Sequence, residues 1–267
     1  VGFLRHRRAL RLLAITVLVV AACVRLGFWQ LDRYQARGEF NAQVRAALAA
    51  DPVDVAQAVP TGTAPAEVPR ADEWRTVSVT GRYDPDHQVV LRMRPVQGQS
   101  GVHVLTPLVP SEGPAVLVDR GFLPATGPAA GPVVPAPPSG TVTVEGRLRL
   151  SEDGRGTGLD PDADPPSVRF IDLEPLAAEA GLPLAPVWVE ATREQPSAAD
   201  DLVPVPEPQL SSGPSLIYAV QWFLFAAIAL GGFVLLARRE RDDGPDAAQP
   251  ASTGPSVLGT AAGSDHR

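Results

Sequence analysis

The sequence predicts a membrane protein of the α+β class. Two transmembrane helices flank a β-rich extracytoplasmic domain, built as a small antiparallel sheet or a partly closed barrel. Three observations predict it. Residues 10–24 and 216–237 are nearly continuous apolar runs. Arginines crowd the outer flanks of both runs, whereas residues 38–214 carry 24 Asp and Glu against 12 Arg. Between the runs lie short segments rich in β-branched residues, several alternating apolar with polar, with turn chemistry between them.

Taken in order, residues 1–9 form a basic cytoplasmic N-terminus and residues 10–31 a first transmembrane helix that carries Arg25 near its far end. An arginine there is tolerated if it snorkels outward or faces a partner. Two other readings of this end stay open. A basic start before an apolar stretch is also how a secretory signal peptide looks, and Val20, Ala21, Ala22 and Cys23 resemble a lipobox that would lipidate Cys23. Against both, Leu26, Gly27, Phe28 and Trp29 keep the segment apolar beyond any cleavage site.

Residues 32–215 form the extracytoplasmic domain. Segments 74–81, 88–94, 102–109, 115–122, 141–150 and 187–190 read as strands, and residues 31–49 and 174–180 as helices, the latter ended by Gly181. The Pro-rich stretches 124–140 and 195–213 read as extended linkers or loops. Residues 216–237 give a second transmembrane helix of about 33 Å, enough to cross the hydrocarbon core. Residues 238–267 form a cytoplasmic tail of disordered composition.

Orientation follows from the arginines. Arg5, Arg7, Arg8 and Arg11 stand before or at the start of the first helix, Arg238, Arg239 and Arg241 follow the second, and none lies in the twenty residues before Leu216. The positive-inside rule then puts both termini in the cytoplasm of a multi-pass protein of the bacterial plasma membrane. The acidic centre argues against nucleic acid as a partner, since that binding needs a basic surface.

Signals for catalysis are poor, and the sequence predicts no enzyme. One cysteine excludes an intrachain disulfide and a Cys-based zinc site, and the four histidines have no metal-ligand spacing. Gly98, Gln99, Ser100 and Gly101 begin like a nucleophile elbow, but Val102 stands where the motif needs glycine. Gly154, Gly156 and Gly158 lack the strand-to-helix context of a phosphate cradle. His103 sits mid-strand among Val and Leu, which suits a packed histidine better than a ligand.

The membrane-proximal residues say more. Tyr218, Gln221, Trp222 and Phe225 follow i, i+3, i+4, i+7 spacing and form one helical stripe, which Ser215 extends outward. On the first helix, Arg25, Trp29 and Arg33 repeat every four residues, with Gln30 adjacent. An interfacial aromatic belt accounts for the aromatic residues. It accounts less well for Gln30 and Gln221, whose amides need hydrogen-bond partners once buried. A contact site for a ligand or protein stands beside the belt as an equal reading.

These residues, in this order, carry a resemblance. LGFWQLDRYQAR at the end of the first helix, GVHVLTPL and VLVDRGFLP in the outer domain, and YAVQWFLFA opening the second helix resemble the Surfeit locus protein 1 (Surf1/Shy1) family. The resemblance implies a chaperone-like factor of the respiratory chain that supports cytochrome c oxidase assembly. It implies as partners oxidase subunit I, haem a synthase and membrane lipid, and haem a as a transient cofactor. It carries Gly27, Trp29, Gln30 and Arg33 to the first-helix motif, Asp119, Arg120 and Gly121 to an NRG motif with Asp in place of Asn, and Tyr218, Ala219, Trp222 and Phe223 to the second-helix motif. Arg25, Trp29, Gln30, Arg33, His103, Tyr218, Gln221 and Trp222 are the candidate cofactor-contacting set. A groove between the helices, lined by Trp and Tyr and rimmed by Arg25 and Arg33, would suit a large anionic macrocycle. One departure stands out: many family members have a histidine three residues before the Tyr of the second helix, and here that residue is Ser215. The alternative function is a membrane-anchored extracytoplasmic binding or sensor domain.

Overall fold

The computed structural model describes residues 2–60, 62–64, 67–124, 133–152, 154–197 and 202–242. The tail expected beyond Arg241 lies, apart from Asp242, outside the described residues. So do parts of both Pro-rich stretches. The described residues form two compact units, one within residues 2–35 and 213–242 and one within residues 36–212.

Helix α1 (Gly2–Ala49) is one unbroken helix, with residues 2–35 in the first unit and residues 36–49 in the second. The sequence suggested a membrane span whose helix continues beyond it through residues 31–49, and the structure shows that continuous helix. Helix α4 (Ser215–Asp242) accounts for the second apolar run. Both α1 and α4 are long and apolar enough to cross a membrane. Neither shows a strong polar face, as expected of helices that expose apolar residues on most sides.

The second unit is organised by eight strands: β1 (Val53–Asp54), β2 (Thr76–Tyr83), β3 (Val89–Leu91), β4 (Gly101–Pro110), β5 (Ala115–Pro124), β6 (Val142–Leu150), β7 (Ser167–Val168) and β8 (Leu184–Gln195). They form one sheet in the order β1-β2-β6-β8-β5-β4-β3-β7. The sheet is larger than the one expected and is mixed: β5–β8, β1–β2 and β3–β7 are parallel, and the other pairings are antiparallel. A further pairing joins Gly81, Arg82 and Tyr83 of β2 to Pro110, Val109 and Leu108 of β4, curling the sheet back on itself. This pairing closes β2, β6, β8, β5 and β4 into a circuit through only three residue pairs, with β1 and β7 left as margins outside it, so the arrangement is a curled sheet and not a complete barrel. Short helices α2 (Val55–Ala58) and α3 (Leu173–Ala180) pack on it. As the sequence suggested, Gly181 ends α3, in the left-handed conformation at φ 63° that glycine adopts without a Cβ penalty.

Alternation along the strands produces a core on each side of the sheet. Val116 and Val118 of β5 join Val77, Val79, Leu108, Val144, Leu148 and Val189 in one core. Leu117, between them, joins Leu91, Leu105, Ile171, Leu176 and Trp188 in the other. Covering both sides explains why β5 is buried throughout its first eight residues. Burying each such Val or Leu stabilises the fold by roughly 1.5–3 kcal/mol. Sequence alternation is therefore clear only in strands with one exposed face, such as β2 and β6.

The described parts of the two Pro-rich stretches are not free linkers. Val203 exchanges two main-chain hydrogen bonds of 2.8 Å with Phe122 at the end of β5. The carbonyls of Pro135 and Ala136 accept hydrogen bonds from Arg120, and those of Val205 and Pro206 accept from Arg147. Both segments are straps held on the sheet through their backbone.

Candidate functional site

Motif residues of the first unit divide into a seam and two outward stripes. The seam consists of buried Cys23 and Gly27 on α1 and buried Ser215, Ala219 and Ala226 on α4. A Cβ built on Gly27 would lie 2.7 Å from the Phe223 ring, so this position accepts no larger residue without displacement. Phe28 and Phe223 meet edge to face at 5.5 Å between centroids. Small residues thus bring the helices together, as is common where backbones approach closely in membranes.

Candidate residues mostly stand off this seam. Tyr218 is 48% exposed, Gln221 and Phe225 are also exposed, and only Trp222 turns halfway toward the seam, with its ring edge to face on Phe225 at 5.9 Å. On α1, Arg25 and Arg33 are exposed, Trp29 is 46% exposed beneath the Arg33 guanidinium at 5.8 Å, and Gln30 is half-buried. The predicted stripe lies on one helix, and Tyr218, Gln221 and Phe225 on it are exposed and not buried in the seam. The space between the helices opens elsewhere. It is an apolar groove of about 320 Å³ lined by Leu12, Ile15 and Val19 on α1 and Ile228, Phe233 and Leu236 on α4.

The remaining candidate, His103, belongs to a built polar row inside the second unit. Register places Arg147 of β6 opposite Glu190 of β8, and Glu190 opposite Asp119 of β5. Arg147 donates to Glu190 at 2.9 Å and Arg149 donates to it at 3.2 Å. Asp119 is buried, with one carboxylate oxygen 2.8 Å from His103 Nδ1 and the other accepting from the Gly121 amide at 3.0 Å. Burial pushes the Asp119 carboxyl above its ordinary range, and the nearby charge of Glu190 pushes the same way. The hydrogen bond and charge of His103 pull against them. His103 lies edge to face on Phe122 at 5.5 Å and is almost inaccessible.

Asp119, Arg120 and Gly121 each have a different task in this row. Between the pairs His103–Phe122 and Leu105–Asp119, β5 carries one extra residue, a bulge. Gly121 sits in it at φ 137°, where an added Cβ would lie 2.9 Å from the Val203 carbonyl. Arg120 points to the opposite side. Its buried guanidinium donates to the Pro135 carbonyl at 3.1 Å, lies 5.4 Å over the Tyr83 ring and is 3.8 Å from Glu194, which also accepts from the Tyr83 hydroxyl. Burial raises the Tyr83 pKa, with Glu194 adding to it, and burial lowers that of Arg120. Gln88 completes the set by accepting from Thr106 at 2.9 Å.

The sequence did not pair His103 with Asp119, nor single out Arg147, Glu190 and Tyr83. One signal was there: Arg147, Arg149 and Glu190 are charged residues inside strands of Val, Leu and Trp, where a buried charge needs a partner.

Among the described residues, no histidine lines the groove between the helices. His103 is almost inaccessible, and Ser215 offers only a buried hydroxyl. His87 is exposed, with its Nδ1 2.7 Å from Asp84. It borders a recess of about 140 Å³, below the roughly 300–1,000 Å³ typical of small-molecule sites.

Residues 17–227 match the model of the SURF1 family. The chain is 36% identical over 247 residues to a protein named "Uncharacterized SURF1-like protein" in Mycobacterium bovis, covering 87% of this chain and 89% of that one. The same figures hold for a protein of that description in Mycobacterium tuberculosis. A "SURF1-like protein" of Monosiga brevicollis is 30% identical over 236 residues, covering 80% of this chain and 83% of that one.

Proposed function

The chain belongs to the SURF1 family, and from that premise we propose that it is a membrane-anchored assembly factor for cytochrome c oxidase, acting through protein contact rather than by ligating haem. The observation that carries this reading is the exposure of Tyr218, Gln221 and Phe225 on α4, within the family-matched segment and outside the buried seam. An amide at membrane depth is costly without a hydrogen-bond partner, and aromatic rings beside it suit a neighbouring protein helix. The arginine distribution favours cytoplasmic termini and an outward-facing second unit. In that orientation the stripe reaches maturing oxidase subunit I from its outer leaflet, at the stage when haem a is inserted. On this reading the buried His103–Asp119 pair is structural and holds the β5 bulge.

The test is a reduced-minus-oxidised optical spectrum of membranes from a strain lacking the gene, compared with parent and complemented strains and with immunoblots of oxidase subunits. A weakened a-type band that returns on complementation is expected. An unchanged band with unchanged oxidase activity would remove the assembly role.

A further inference from the structure

A second recognition site is built into the outer unit, away from the helical stripe. Beside α3 and the start of β3 the sheet surface opens into a recess of about 140 Å³. Its floor is part of the second core, through Leu117 and Leu176, and its walls include Leu159, Leu182 and Leu184. That volume is too small for a cofactor, given the roughly 300–1,000 Å³ of small-molecule sites. It is the scale of one large apolar side chain, the kind of anchor that dominates protein interfaces.

The rim carries two carboxylates beside one histidine. Asp86 and Glu179 line it, and Asp162 and Asp164 stand in the loop between Pro161 and Pro166, both of which also line it. No arginine is among the lining residues, and His87, the one basic group there, is held by Asp84 at 2.7 Å. The rim is also preformed. Glu179 accepts a 2.8 Å hydrogen bond from Thr157, and α3 is closed by Gly181. An apolar hole with a fixed acidic border excludes acidic partners and attracts basic ones.

We propose that this recess docks a single apolar side chain from a partner protein's segment that carries Arg or Lys on either side of it. The proposal does not depend on oxidase assembly being the function.

The test uses the full chain in lipid nanodiscs and a fluorescein-labelled decapeptide with one central phenylalanine two residues from an arginine on each side, read by anisotropy. Two counterparts replace the phenylalanine by alanine or the arginines by glutamate. Saturable binding is expected for the first peptide, at least tenfold weaker for both counterparts. Ala180→Trp, which plugs the recess from the end of α3, should abolish binding with an unchanged melting profile. Glu179→Gln, which keeps the hydrogen bond to Thr157 but removes charge, should weaken it severalfold. Three results would overturn the proposal: no saturable binding, equal binding of the alanine peptide (charge attraction alone), or binding indifferent to Ala180→Trp. Concentration-dependent dimerisation of the chain, abolished by Ala180→Trp, would assign the recess to a second copy and overturn it equally.

Discussion

The two units treat their polar residues in opposite ways. Around the α1–α4 seam the close contacts are made by Cys23, Gly27, Ala219 and Ala226, while Tyr218, Gln221, Arg25 and Arg33 stand exposed. Within the sheet, Arg147, Glu190, Asp119, His103 and Arg120 are buried, and each has a partner. In the second unit the polar motif residues therefore hold the fold, whereas in the helices they are left available for something else. A motif shared across a family carries both kinds of residue, and only the structure separates them.

The sharpest way to break this comparison is to remove a partner from the buried row. Asp119→Ala leaves His103 and the Gly121 amide unpaired inside the sheet and should cost about 3–5 kcal/mol. Thermal unfolding of the detergent-solubilised chain would show it as a large drop in midpoint. Gly121→Ala comes next. A Cβ 2.9 Å from the Val203 carbonyl, at a φ that L-residues avoid, should cost about 1–3 kcal/mol. It should also release the strap at Val203, read as new cleavage near residues 202–206 in limited proteolysis.

A pH series sharpens the same point. Burial raises the Asp119 carboxyl pKa in the folded state. The folded chain therefore holds this proton over a window above the ordinary carboxylate value where the unfolded chain has lost it, and stability falls as pH rises through that window. Asp119→Asn keeps the shape without the titration, so its unfolding midpoint should lack that part of the decline. An identical pH profile for both proteins would place the titration elsewhere.

Much of the architecture was legible because it rests on local patterns. Apolar length marks α1 and α4, turn chemistry separates β2 through β6, and Gly181 ends α3. What escaped depends on distant partners. Strands β1 and β7 are two residues each, too short for any periodicity, and exist because β2 and β3 offer edges to pair with. Val203, Val205 and Pro206 read as linker because Pro-rich sequence has no pattern of its own. Their partners, Phe122 and Arg147, lie more than fifty residues away. The site behaved alike. Spacing gave the line through Tyr218, Gln221 and Phe225, but which side of α4 meets α1 is decided by Gly27 beneath Phe223, a tertiary contact.

At the small end of the scale, Tyr218→Ala, Gln221→Leu and Phe225→Ala should each change stability by only about 0.5 kcal/mol, as expected of exposed residues. That invariance makes them the most direct probe of the central claim. The triple variant would be expressed in the strain lacking the gene, its membrane level and melting profile checked against the parent chain, and the a-type band read in reduced-minus-oxidised spectra. The account predicts a normally folded, normally abundant protein with a weakened band. A full-strength band would contradict it, and would mean that the exposed stripe is an interfacial belt with no partner.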